Sequence, residues 1–78
     1  MEFLVDLNKV EDVKTFVKLA ESCKVDVMVK NQDRAFTVDG GSIMGMFSLD
    51  LSKPVIVHIE DMEVAQAFKH HIERFVVD

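Results

Sequence analysis

Three histidines are the side chains of this sequence best suited to acid–base or metal chemistry near neutral pH. His58 lies in an alternating apolar run, which places it on the solvent side of a predicted strand. His70 and His71 are adjacent on a predicted helix, so they point about 100° apart and lack the i, i+4 spacing of a zinc-binding pair. We therefore expect no metal site and no cofactor. We interpret all three as surface or boundary residues, with His71 partly buried beside Ile72.

A cysteine and a serine at predicted helix ends are further candidates for chemistry. Cys23 follows the first predicted helix, where the negative end of the helix dipole raises the pKa of a thiol, so we interpret it as a small boundary residue. Ser42 precedes a short apolar segment, and its hydroxyl can cap a helix there.

The apolar segment after Ser42 has two interpretations. Ile43, Met44 and Phe47 are either core filler or an adaptable protein-binding patch on a short helix. Leu49 and Leu51 have the pattern of core residues.

Composition limits the classes of function that are available. The 78 residues are 49% hydrophobic and carry 14 acidic against 9 basic side chains, for a net charge of −5. This predicts one small domain, residues 1–78, without an enclosed cofactor chamber. A lone cysteine excludes an internal disulfide and a cysteine-rich zinc site. The acidic balance argues against nucleic acid, and no apolar run approaches the roughly 18 residues of a membrane span, so we expect protein partners.

The first half of the chain has a strand signal followed by a helix signal. Phe3, Val5 and Leu7 alternate with Glu2, Leu4 and Asp6, as in a strand with one buried face. Asn8 can cap the next helix, with Glu11 reaching back to the cap. The apolar stripe of that helix, which runs to about residue 22, consists of Val10, Val13, Phe16, Val17 and Ala20.

The second half predicts a hairpin, a short helix, a strand and a last helix. The hairpin pairs residues 25–29 with 34–38. A helix of about two turns follows Ser42, residues 55–59 form the fourth strand, and Asp61 caps the last helix. The apolar stripe of the last helix consists of Ala65, Phe68, Ile72, Phe75 and Val76.

This order of elements predicts an α+β fold, in which an antiparallel sheet has its helices on one side. The pattern alone leaves open a ferredoxin-like arrangement or an open-faced sandwich with an extra terminal helix. The free face of the sheet would have an apolar centre and charged residues around it. Its residues would be Leu4, Met28, Ile56 and His58 beside Lys24, Asp26 and Lys30.

The middle of the sequence resembles HPr, the histidine-containing phosphocarrier of the bacterial sugar phosphotransferase system. The resemblance is carried by residues 42–51, by the strand signal at 55–59, and more weakly by Phe16-Val17-Lys18-Leu19-Ala20. The element order and length are similar to HPr over the whole chain. The resemblance implies an open-faced β-sandwich with four antiparallel strands and three helices on one face.

The resemblance also implies that the phosphate-carrying histidine is missing. In the HPr family that histidine opens the first helix, and an arginine and a proline follow it. Lys9 falls at the place of the histidine, Glu11 at that of the arginine and Asp12 at that of the proline. Electrostatics agrees, because two carboxylates in the first turn would repel a phosphoryl group and a protonated lysine is a poor nucleophile.

By resemblance, Ser42 matches a serine that a dedicated kinase phosphorylates in many Gram-positive members. Gly41 replaces the basic residue that is common before this serine, and the alternative role of Ser42 is that of a helix cap. The resemblance places Ile43, Met44 and Phe47 on the surface that docks other proteins.

We therefore expect a non-catalytic HPr-like protein, not an enzyme, which binds or regulates other proteins. Its expected partners are proteins of the phosphotransferase system or regulatory proteins, and it is expected to be cytoplasmic and a monomer or weak homodimer. Two alternatives stay open. The first is a working phosphocarrier that uses an unexpected residue, and the second is a structural domain that dimerises through its open sheet face.

Overall fold

Up to the last α-helix, strands and helices follow one another in the order that apolar periodicity predicts. The structure, a computed structural model, describes residues 1–77. Its elements are β1 Glu2–Val5, α1 Val10–Glu21, β2 Met28–Lys30, β3 Thr37–Asp39, α2 Ile43–Phe47, β4 Val55–His58, α3 Met62–His71, a 3-10 helix at Glu73–Phe75, and β5 Val76–Val77. None of the helices within these residues is long and apolar enough to cross a membrane.

The five strands form one antiparallel sheet in the order β3-β2-β4-β1-β5. The central strand β4 is paired with β1 on one side and with β2 on the other. Three α-helices accompany the sheet, so the fold is the expected α+β open-faced sandwich with one strand more than expected.

One face of the sheet is buried under the helices. Val57 pairs with Phe3 on β1 and with Val29 on β2, and all three side chains are buried. α1 and α3 contact each other above this row, where the rings of Phe16 and Phe68 meet edge to face with centroids 5.5 Å apart. An edge-to-face aromatic pair stabilises such a contact beyond the apolar area it buries. The two helices are therefore fixed to the sheet and to each other.

The end of the chain differs from the sequence prediction. The apolar stripe placed Phe75 and Val76 in the last helix, but α3 ends at His71. The chain then turns through the 3-10 helix, Val76 pairs with Val5, and the Asp6 N–H donates to the Phe75 carbonyl at 2.8 Å. β-Branched residues favour strands, and this pairing satisfies the backbone groups of β1 that would otherwise face solvent.

The second face of the sheet is only partly open. Leu4 and Lys30 pair with Ile56 from opposite sides, which places the three side chains in one row on this face. Ile56 is only 7% exposed, so the row is already largely covered. The prediction that Lys24 and Asp26 belong to this face is wrong, because β2 begins only at Met28 and the two residues precede its pleat.

An ionic cluster on this face connects β1 to the hairpin. The Glu2 carboxylate accepts hydrogen bonds from Lys30 Nζ at 3.1 Å and from Arg34 Nη2 at 3.0 Å. His58 Nδ1 lies 3.4 Å from the same carboxylate. Arg34 sits in the left-handed backbone region, with φ 59°, and its N–H donates to the Asn31 carbonyl. Hydrogen bonds from Arg34 and Lys30 lower the pKa of Glu2 from its usual 4.5 to about 2.

The lowered pKa of Glu2 predicts a pH-dependent contribution to stability. A carboxyl group with a lowered folded-state pKa stabilises the fold fully above its unfolded value, and this stabilisation is lost as pH falls through the folded value. We expect Glu2→Gln to be less stable than the wild type above pH 4.5, with the difference shrinking as pH falls from 4.5 to about 2. Urea denaturation at a series of pH values measures this. A constant difference across that range would contradict the role assigned to the Glu2 charge.

Candidate functional site

The start of α1 is the place that, by resemblance, corresponds to the phosphate-carrying histidine of HPr. Leu7, fully buried, anchors the chain after β1, and α1 begins at Val10. Lys9 occupies the N-cap position without any side-chain cap bond. The predicted cap at Asn8, with Glu11 reaching back to it, is therefore wrong, because the helix starts one residue later and Glu11 falls one position short of a capping box. Val10 was expected in the apolar stripe but is 57% exposed.

An open cleft of about 540 Å³ borders this helix start. Carboxylates and cations both face it, and no histidine is among the described residues that line it. The lining residues are Asp6, Asn8, Lys9, Glu11, Asp12, Thr15, Arg74, Phe75 and Val77. The first turn of α1 leaves backbone N–H groups free to attract an anion, but Glu11 and Asp12 put two negative charges in that turn. The cleft is thus poorly suited to a phosphoryl group.

Arg74 is the residue of this cleft that sequence reasoning missed. Its guanidinium carbon lies 4.7 Å from the centroid of the Phe75 ring, so the side chain rests on its own neighbour. Arg74 reaches the cleft because β5 pairs with β1 beside the start of α1. The adjacent β-branched pair Val76-Val77 was the signal that could have indicated a strand there.

α2 is the second place where the sequence suggested a functional role. The Ser42 side chain accepts a hydrogen bond from the Gly45 N–H at 3.1 Å, and the backbone of Ser42 is extended. This is the arrangement of a helix N-cap, which Ser42 was expected to form. The proton of the Ser42 hydroxyl takes no part in this bond, because the Ser42 oxygen acts only as the acceptor.

The two sides of α2 have opposite environments. Met46 is fully buried in the core, while Met44 is 82% exposed and Phe47 is 47% exposed. Ile43 is also exposed. We refer to Ile43, Met44 and Phe47 as the α2 patch. Beyond the helix, Leu49 is buried as expected, whereas Leu51 is half-buried at the edge of the core.

The three histidines have different neighbours and do not combine into one site. His58 faces Glu2 and lies 3.5 Å from the Glu60 carboxylate, and His70 Nδ1 lies 3.7 Å from Glu73. His71 is exposed, so the expectation that it is partly buried is wrong; the core position beside it is taken by Ile72. Among residues 1–77, no group of three or more potential ligands is arranged to hold a metal ion.

Cys23 lines a shallow apolar groove between α1 and α3, together with Phe68 and His71. It is half-buried, and burial raises the pKa of its thiol. A thiol with a raised pKa is largely protonated near neutral pH and is a weak nucleophile. The groove therefore has no activated cysteine.

Comparison with known proteins identifies the family. A family model described as "PTS HPr component phosphorylation site" matches residues 12–77. The chain belongs to the HPr family. No curated protein matches it. The HPr family consists of phosphocarrier proteins that work with other proteins of the phosphotransferase system. The matched segment begins at Asp12, so it leaves out Lys9 and Glu11, which stand at the start of the first helix.

The cap at α2 gives a stability prediction. Ser42→Ala should lower the free energy of unfolding by roughly 0.5–2 kcal/mol, because the Gly45 N–H loses its acceptor. Ser22→Ala is a matched control, since the Ser22 hydroxyl only donates to a helix carbonyl, that of Lys18, at an exposed site. Chemical denaturation of both variants measures the difference. Unchanged stability of Ser42→Ala would show that the cap contributes nothing.

Proposed function

We propose that this HPr-family chain is a non-catalytic, protein-binding relative of the phosphocarrier, which does not carry phosphate on histidine. The start of α1 carries the proposal: Lys9 occupies the N-cap position, and Glu11 and Asp12 follow in the first turn. Phosphocarrier chemistry needs a nucleophilic nitrogen at a place that favours the incoming anion. Neither requirement is supported by these side chains.

The α2 patch supports a binding role. Large apolar side chains exposed together on a short helix leave a surface that is favourable to cover. Met44 and Phe47 lie three residues apart and so can share one side of the helix. Methionine adapts its shape to different partners, and an exposed phenylalanine can act as an anchor in an interface. We infer that this patch docks a protein of the phosphotransferase system or a regulatory protein, in the cytoplasm.

Ser42 is proposed as the place where such docking is regulated. Its hydroxyl stands directly before the α2 patch and is half-buried rather than enclosed. A phosphate at this position would add negative charge at the N-terminus of α2, which the backbone N–H groups favour, and would change the charge beside the patch. Regulation of docking would then leave the fold intact.

The open sheet face supports self-association less well. Ile56, at the centre of that face, is already covered, and the Glu2 cluster satisfies the charges around it. We therefore propose a monomer that binds another protein through α2.

Phosphotransfer is the direct test of the proposal. On incubation with enzyme I and labelled phosphoenolpyruvate, the chain should remain unlabelled because it lacks the acceptor at the start of α1. A histidine-containing HPr in the same reaction is the positive control. An acid-labile phosphohistidine on this chain would overturn the proposal.

Truncation of α2 side chains separates docking residues from core residues. Met44→Ala and Phe47→Ala should change stability little and weaken partner binding. Met46→Ala, in the same helix but fully buried, should lose roughly 2–5 kcal/mol of unfolding free energy. Urea denaturation and a pull-down with each variant measure the two effects. If Phe47→Ala lowers the free energy of unfolding as much as Met46→Ala does, Phe47 belongs to the core.

A further inference from the structure

The chain segment that carries the α2 patch has acidic residues but no basic ones. Between Arg34 and Lys53 the only charged side chains are Asp39 and Asp50. Both are exposed, one before α2 and the other after it. An exposed apolar surface next to exposed carboxylates favours a partner that supplies the opposite charge.

Two acidic residues, Asp39 and Glu21, lie next to Gly41 at the N-terminal end of α2. A Cβ atom placed on Gly41 would lie 3.3 Å from the Glu21 Cα and 3.4 Å from Oδ1 of Asp39, so the two residues flank Gly41. The Asp39 carboxylate is held in place, because it accepts a hydrogen bond from the Gly41 N–H at 2.8 Å. Glu21, the last residue of α1, is exposed. This end of the α2 patch is therefore acidic.

The two lysines of α1, and Lys53 after α2, each have an acidic residue nearby. On α1, Lys14 lies one turn after Glu11, and Lys18 lies one turn before Glu21, a spacing at which side-chain charges interact. At the other end of α2, Lys53 helps to lower the pKa of Asp50, although hydrogen bonds from Ser52 lower it more. Asp39 has a backbone N–H as its partner instead of a cation.

We propose that the partner of the α2 patch is an amphipathic helix whose apolar face is flanked by Lys or Arg. The inference rests on the proposed function, since it takes the α2 patch as the docking surface. Apolar side chains of the partner helix cover Met44 and Phe47. Its basic side chains lie next to Asp39 and Glu21, which sets orientation and excludes acidic partners.

Two synthetic helical peptides with the same apolar face test this, one with Lys and the other with Glu at the flanking positions. Fluorescence anisotropy with the full chain should show tighter binding of the Lys peptide. Asp39→Asn and Glu21→Gln should each weaken that binding roughly twofold to fivefold, the range for an exposed ion pair. Glu73→Gln is the matched control, since Glu73 directly precedes β5, at the sheet edge opposite to β3, and should not change binding. Met44→Asp should abolish binding.

Failure of the inference can be told from failure of the proposed function. If both peptides bind equally and Met44→Asp abolishes this binding, the proposed charge of the partner is overturned. The α2 patch is then still supported as a docking surface. Binding of the Lys peptide that Met44→Asp leaves unchanged would overturn both, because the peptide would bind elsewhere. If neither peptide binds, the amphipathic basic helix is overturned as the partner, and the proposed function is then judged by the pull-down with Phe47→Ala.

Discussion

Strand β4 is the part of the structure on which the rest depends. It pairs with β1 and β2 at once, and three of its four side chains, Val55, Ile56 and Val57, are buried. A strand with both edges paired and both faces covered can be shifted only by breaking two ladders of backbone hydrogen bonds. The register of β4 fixes where β1 and β2 end, and therefore where α1 starts.

The side chains at the start of α1 do not favour phosphate chemistry. Lys9, Glu11 and Asp12 provide neither a histidine nor a favourable field for an anion. β5 adds Arg74 beside them, but the three carboxylates of the cleft outnumber its two cations. The same scaffold can hold different chemistry, because function resides in the site rather than in the fold.

α2 shows how five residues can serve both the core and the surface. Met46 fills the core, and the exposed Met44 and Phe47 lie on the other side of the same helix. A helix this short has little stability of its own, so it depends on the buried methionine and on the cap that Ser42 provides. The packing of Met46 in the core therefore also holds the exposed side of α2 in place. That arrangement presents the α2 patch without requiring the partner to order it.

The sequence by itself determined the α+β class and the order of the elements from β1 to α3. Apolar alternation at residues 3–7 and 55–59, and the stripe of α1, are local patterns that backbone geometry converts directly into strands and helices. Tertiary structure decided the conformation at the end of the chain. Phe75 and Val76 fit a helical stripe, but Val76 pairs with β1 instead. Tertiary structure also decided that Met46 rather than Met44 is buried. The local sequence does not distinguish these two methionines, and only the packing of α2 does so. The ion pair between Glu2 and Arg34, and the cleft that Arg74 shares with the start of α1, bring together residues far apart in sequence. No local pattern contains them, since only the pairing of β1 with its neighbouring strands brings those side chains together.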